Sequence, residues 1–177
     1  CIVDDGSTDN TLSICCEMAE KDARISVTSF LTNRGEVAAR NEGIESLMRA
    51  YPECDYFMNH DCDDLSRPSK LAKLVAYLDS HPETDIVGCC AHYFGQDVAP
   101  GRNVWLPITA EDVRNTFRKY NPMINSATLI RRRAFEKIGT YCPEMRTTDD
   151  YHFFARAQMA GFALENLPED LHAIRLH

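Results

Sequence analysis

The sequence predicts an α/β fold: a mostly parallel central sheet flanked by helices. Three observations predict it. Short apolar runs alternate with stretches of helical periodicity through the first half of the chain. The apolar runs end on acidic turns, Val3-Asp4-Asp5-Gly6 and Asn59-His60-Asp61-Cys62-Asp63-Asp64, which is where sheets of this class bind ligands. The chain has 177 residues, 44% of them hydrophobic, enough for one domain with its own core.

Strand-like runs cover 1–4, 25–31, 56–59, 86–90, 127–131 and 163–167. The first helix is expected over 10–21, with Leu12, Cys15, Cys16 and Ala19 inward and Ser7, Thr8 or Asp9 as its cap. A second follows Gly35 over 36–50, with Val37, Ala38, Ile44, Leu47 and Met48 on one side. A third covers 69–80, entered through Pro68, with Leu71, Leu74, Val75 and Leu78 on its buried face. From about Gly95 the pattern is less regular, and Trp105-Leu106-Pro107 and Tyr120-Asn121-Pro122 mark loops. A last helix is expected over 151–159, burying Phe153, Phe154 and Ala157. The later half is expected to build the second wall of a cleft.

Composition narrows the function. A net charge of −8 argues against a nucleic-acid backbone as partner. The apolar stretches are too short to span a bilayer. No signal peptide is visible at the start, and both ends read as cut from a longer protein. Eight cysteines, with adjacent pairs Cys15-Cys16 and Cys89-Cys90, do not form a disulfide framework. Cys89, Cys90 and His92 lack CxxC spacing and read as buried thiols rather than zinc ligands, in a reducing compartment.

The acidic clusters carry the chemistry. Asp61 and Asp63, alternating along an extended segment, point to one site, with Asp64 beside them. Their hard oxygens suit Mg2+ or Mn2+. Two like charges about 4 Å apart repel by roughly 4 kcal/mol at an effective dielectric near 20. A bridging dication reverses that sign, which reconciles carboxylates with a diphosphate. The same residues equally suit a solvated acidic turn. Asp4 and Asp5, at a strand end before Gly6, suit acceptance from a nucleobase N–H or a ribose hydroxyl, or a plain strand–turn–helix junction. Arg40, in Asn33-Arg34-Gly35…Ala38-Ala39-Arg40-Asn41-x-Gly43, supplies a cation for base or phosphate, or a solvated helix face. Asp149-Asp150 precede a helix and fit either capping or general-base work. His177 is a candidate ligand at the end of the chain.

Taken together the motifs are more specific than any one of them. Val3-Asp4-Asp5-Gly6-Ser7-Thr8-Asp9-Asn10-Thr11, the NxGxxxARNxG-type spacing from Asn33 to Gly43, DxDDxxxPxKL from Asp61 to Leu71, residues 121–132 with Phe135, Gly139 and Tyr141, and residues 149–177 occur in a fixed order. The set resembles the family-2 glycosyltransferases, inverting enzymes of the GT-A nucleotide-diphospho-sugar transferase fold, over nearly the whole chain.

The resemblance implies specific roles. Asp4 or Asp5 would hold the nucleobase, and Arg40 would contact the nucleotide. Asp61 and Asp63 would meet the metal and diphosphate, with Asp63 the more direct ligand, Asp64 supporting and His177 completing the Mn2+ or Mg2+ site. Asp150 would deprotonate the acceptor hydroxyl, with Asp149 supporting where the family usually has Glu. The donor would be a nucleotide sugar, UDP-sugar favoured, and the acceptor a glycan, a lipid-linked sugar or a protein. An α-linked donor would give a β-linked product. The setting would be the cytoplasm or the cytoplasmic face of a membrane, with membrane association of the full-length protein left open. The resemblance further implies one catalytic domain over 1–177, truncated at its N-terminus, with residues 1–94 as nucleotide-binding half and 95–177 as acceptor-side half. The first strand of the sheet would be missing from this segment, leaving a gap or an unstable fragment. His60 stands where the family usually has an apolar or small residue. Substrate specificity is expected in loops 95–120 and 143–148. Three other readings stay open: a non-catalytic nucleotide-sugar-binding domain of the same fold, a sugar-phosphate nucleotidyltransferase and a metal-binding structural module.

Overall fold

A computed structural model describes residues 1–99, 101–145 and 147–177. The loops 95–120 and 143–148 therefore each contain one residue, Pro100 and Arg146, that lies outside the described residues. The chain forms two compact units, Cys1–Cys54 with Thr140–Asp149, and Asp55–Gly139 with Asp150–His177.

The first unit is a β–α–β–α run. Strand β1 (Ile2–Asp4) pairs in parallel with β2 (Val27–Ser29) through helix α1 (Thr11–Lys21), and α2 (Glu36–Ala50) follows. The α1 cap differs from expectation. Asn10 is the capping residue and makes no side-chain capping bond, while Asp9 accepts from the Thr11 N–H at 3.0 Å. Leu12, Cys15 and Ala19 face inward but only half-buried, and Cys16 is exposed. Helix α2 buries Val37 and Ile44 as its periodicity predicts, and Gly43 lets it approach Val3 closely. Gly6 turns the chain after β1 with φ +77°; a Cβ there would lie 2.8 Å from Asn33 N. Asn41 ties the 140–149 segment to α2. Its Nδ2 donates to Tyr141 O at 2.8 Å, and its Oδ1 accepts from Tyr141 N at 2.9 Å.

The second unit contains β3 (Tyr56–Met58), β4 (Leu65–Ser66), α3 (Lys70–Ser80), β5 (Thr84–Phe94), β6 (Asn103–Val104), α4 (Ala110–Thr116), a 3-10 turn (Asn125–Ala127), β7 (Leu129–Arg131), α5 (Arg132–Ile138) and β8 (Ala163–Arg175). Helix α6 (Asp149–Met159) starts at the boundary residue of the first unit and runs into the second. The sheet order is β3-β7-β5-β8-β4, with β6 on β5. The α/β class is as expected, but parallel pairing is confined to β1-β2 and β5-β8, and the other described pairs are antiparallel. The two parallel pairs are each bridged by helices, as a parallel pair requires, and the short connection from β5 to β6 suits an antiparallel pair.

The core of this unit packs Leu74 and Leu78 of α3 against Val87 and Cys89 of β5, Ala127 and Leu129, and Leu167 and Leu171 of β8. Each buried leucine contributes about 1.5–3 kcal/mol. Phe153, Phe154 and Ala157 of α6 are fully buried, as predicted. The α3 face buries Leu74 and Leu78 as expected and Val75 by half, but Lys70 turns inward in place of Leu71, which is exposed. Lys70 takes the inward place because its amine finds buried acceptors there. Among the described residues no helix is long and apolar enough to cross a membrane.

Gly88, in the buried middle of β5, admits Asn166 of β8; a Cβ would meet Asn166 Oδ1 at 2.2 Å. Asn166 cannot withdraw without losing its bonds to Pro107 O at 2.7 Å and Pro122 O at 3.1 Å. Gly88→Ala should therefore lower the urea-unfolding free energy by about 1–3 kcal/mol. An unchanged midpoint would show that Asn166 has room to move.

Candidate functional site

In the first unit the strand end places Asp4 in a buried position, 4% exposed. Its Oδ2 accepts from Ser7 N at 3.2 Å and from Ser29 Oγ at 3.4 Å. The Ser7 bonds outweigh desolvation and hold this carboxyl below the usual carboxylate range. Its Oδ1 is buried and has no hydrogen-bond partner among the described residues. Such an orphaned acceptor costs stability unless something donates to it. Asp5 is used differently. Both its oxygens accept backbone N–H groups, from Arg34 at 2.7 Å and Gly35 at 2.9 Å, so it pins the 33–35 turn ahead of α2. Arg40 is nearly buried, ion-paired with Glu36 one turn earlier and with Asp149, and lies 5.0 Å from the centre of the Tyr141 ring.

In the second unit residues 61–64 do not run extended. The Asp64 N–H donates to Asp61 O at 3.2 Å and closes a turn. The alternation that would aim Asp61 and Asp63 together is lost, because a turn follows a period other than two. Asp63 instead meets the chain terminus, its Oδ2 2.8 Å from His177 Nε2. Asp64 turns inward and is buried. Its Oδ2 accepts from Ser126 Oγ at 2.8 Å and His172 Nε2 at 2.9 Å, and its Oδ1 accepts from the Arg175 N–H at 3.0 Å. Burial alone would raise its pKa, but the Arg175, Ser126 and His172 bonds prevail and hold it low.

Sequence reasoning missed Lys70, Ser126 and His172. Lys70 Nζ donates to Ser126 O at 2.9 Å and lies 3.1 Å from His172 Nδ1. An ammonium has only donors, so Nδ1 is the acceptor and Nε2 carries the proton that reaches Asp64. Burial lowers the Lys70 amine from its ordinary value, with Asp64 and Asp61 opposing. Burial first, then the Lys70 charge, lowers His172. His60 packs edge-on against His172 with ring centres 5.8 Å apart. Lys70 was legible as the Lys of DxDDxxxPxKL, but with no role attached to it.

Helix α6 starts at Asp149, two residues earlier than expected, so both acids lie in its first turn. Asp150 Oδ2 accepts from Asn121 Nδ2 at 3.0 Å, and Oδ1 from Tyr151 N at 2.6 Å. Asn121 Oδ1 in turn accepts from Met123 N at 3.2 Å, which fixes the amide. Cys89 and Cys90 are buried thiols, with burial pushing Cys89 up to about 12, and His92 Nδ1 meets Asp170 at 2.8 Å.

Among the described residues no group of three or more His, Cys, Asp or Glu side chains is arranged to hold a metal alone. Asp63 and His177 nevertheless offer an adjacent carboxylate oxygen and imidazole nitrogen, both partly open to solvent. That donor set fits Mg2+ or Mn2+, which commonly takes one or two protein ligands and completes its shell with phosphate and water.

The pKa directions set an acid limit on stability. His172 titrates below its ordinary 6.5 in the folded chain, so the unfolded chain binds a proton that the native one refuses. Stability should therefore fall as pH drops below about 6.5, and fall again below about 3.8 as Asp64 is forced to protonate. Urea midpoints measured from pH 7 to 5 should decline for the wild type and decline less for His172→Gln. Equal slopes would show that His172 is not held neutral.

Comparison with known proteins gives the family. The family model for glycosyl transferase family 2 matches residues 1–139. An uncharacterized glycosyltransferase of Haemophilus influenzae is 28% identical, covering 99% of this chain and 55% of that protein. The S. aureus TarS fragment 1–349, solved with UDP, superposes with a TM-score of 0.73 at 21% identity, covering 98% of this chain and 50% of that one. The mannosyltransferase PcManGT of Pyrobaculum calidifontis, solved with GDP-Man and Mn2+, gives 0.62 at 20% identity over 97% of this chain and 46% of that one. At such identities the two structures show the fold, and the chain spans about half the length of the proteins it matches. With most of its length matched by the family model, the chain belongs to glycosyl transferase family 2.

Proposed function

We propose that the full-length protein transfers a sugar from a nucleotide-diphospho-sugar, UDP-sugar favoured, to an acceptor hydroxyl with inversion, and that it depends on Mn2+ or Mg2+. The observation that carries this reading is the Asp63–His177 pair, two metal-competent side chains far apart in sequence and 2.8 Å apart in space. The solved relatives with UDP, and with GDP-Man and Mn2+, support it as members of the same fold. Residues 1–94 are assigned mainly to the nucleotide and 95–177 to the acceptor side.

Each residue then has a task. Asp4 presents its orphaned Oδ1 to a donor on the nucleobase or ribose. Asp5 shapes the neighbouring turn by holding the Arg34 and Gly35 amides. Arg40 offers the nucleotide a guanidinium whose direction is set by Glu36, Asp149 and Tyr141. Asp63 and His177, with Asp61 adjoining, would hold the metal, and Asp64 supports them from beneath. When bound, the metal neutralises charge developing on the leaving diphosphate. Asp150, oriented by Asn121, takes the proton of the acceptor hydroxyl as that oxygen attacks the anomeric carbon. The bond from that carbon to the diphosphate oxygen breaks, and the nucleoside diphosphate leaves with its electron pair.

A screen of UDP-, GDP- and dTDP-sugars on the full-length protein should show metal-dependent nucleotide release for one donor class. Asp150→Asn should cut kcat by about 100- to 10,000-fold, and Asn121→Ala should lower kcat more than it changes KM for the donor. Tight metal-dependent nucleotide binding without turnover for any donor would instead support a non-catalytic nucleotide-sugar-binding domain.

A further inference from the structure

The acidic turn is joined to the end of β8 by a chain of buried polar groups, and that chain has a direction. It starts at Lys70, the first residue of α3, 1% exposed. Lys70 holds His172 by Nδ1, which leaves the Nε2 proton for Asp64. Ser126 adds its hydroxyl to the same Asp64 oxygen. The other Asp64 oxygen grips the Arg175 N–H, and Arg175 Nε returns to Asp63 O at 3.0 Å. Arg175 is itself held over the Phe94 ring at 4.6 Å. Two residues further on, His177 meets the Asp63 carboxylate.

An apolar core would hold β4, β8 and α3 together at less cost. Burying a lysine, a histidine and a carboxylate costs desolvation, and apolar groups of the same volume are often neutral or stabilising in their place. Departures from the cheapest packing are expected where a site must be held in one geometry. Every bond in this chain bears on the placement of Asp63 or of the strand end that carries His177.

We propose that Lys70, His172 and Ser126 are positioning residues for the metal–diphosphate site: by holding Asp64 they clamp the 61–64 turn to Arg175 and so set the Asp63 carboxylate against His177. The proposal rests on the reading that Asp63 and His177 bind a divalent cation. It deepens that reading by naming side chains that touch neither metal nor substrate.

The test is Mn2+ titration of the full-length protein, followed by the EPR signal of free Mn2+, in the presence of UDP and, separately, GDP. Asp63→Asn should abolish the wild-type site. His172→Leu and Lys70→Met should weaken Mn2+ binding by about 10- to 100-fold. His172→Gln should stay within about 3-fold of wild type, because its amide offers an acceptor to Lys70 and a donor to Asp64 in the places of Nδ1 and Nε2. Ser126→Ala, a small change that folds even where His172→Leu does not, should weaken binding measurably. Wild-type Mn2+ constants in His172→Leu, Lys70→Met and Ser126→Ala, with only their melting temperatures lowered, would overturn the proposal, as would equal losses in the Gln and Leu variants. Unchanged binding in Asp63→Asn, or no binding by wild type, would instead remove the metal-site reading on which the proposal rests.

Discussion

A buried carboxylate must be satisfied by several donors or it will not stay ionised, and in the larger unit Asp64 meets that demand in full. One oxygen takes the Ser126 hydroxyl and the His172 imidazole, and the other takes the Arg175 amide. These partners come from the 3-10 turn ahead of β7 and from β8, and Lys70 adds the start of α3 through His172. The antiparallel pairing of β4 with β8 extends from the same point, Leu65 opposite Ala173 and Ser66 opposite His172. Removing one donor leaves a buried charge under-satisfied, which costs more than the bond was worth. The geometry of the 61–64 turn therefore depends on groups drawn from across the sheet.

The acidic residues of the chain divide by what their oxygens are doing. Asp5 and Asp64 are spent on backbone and side-chain donors and so shape turns. Asp149 is committed to Arg40. Among the described residues, Asp4 keeps one buried oxygen without a donor, and the partly exposed Asp63 meets His177 through Oδ2. This division follows from hydrogen-bond supply rather than from charge, since all five are carboxylates. Within each unit it separates carboxylates that shape the chain from those that, in the proposed function, meet a ligand.

Much of this was legible in the sequence. The second helix matches its expected span, 36–50, because Gly35 and a long periodic stretch bound it. The inward face of α6 was equally readable, since three apolar residues recur at helical spacing. Other features were hidden for physical reasons. On α3, Lys70 takes the inward place expected of Leu71 because a lysine, polar by type, reaches a buried acceptor. Helices α4 and α5 have seven residues each, too few for periodicity to register. Strand β8 continues past its expected end through Pro168, and its pairing with β5 shifts register, so alternation is broken. The extended reading of residues 61–64 failed because a local turn bond and the inward pull on Asp64 prevail over continuation of the strand. The Asp63–His177 contact is a matter of tertiary structure that residue order alone does not carry, although both residues stood out individually.

In the proposed function Asp63 and His177 form a divalent-cation site beside the buried Asp64 clamp. The most direct measurement is anomalous scattering from crystals of the full-length protein grown with Mn2+ and UDP. The account requires a manganese peak within coordination distance of Asp63 Oδ2 and His177 Nε2, with Asp64 still bonded to Ser126, His172 and Arg175. A peak at other residues, or Asp64 turned outward to coordinate the ion in place of Asp63, would contradict it.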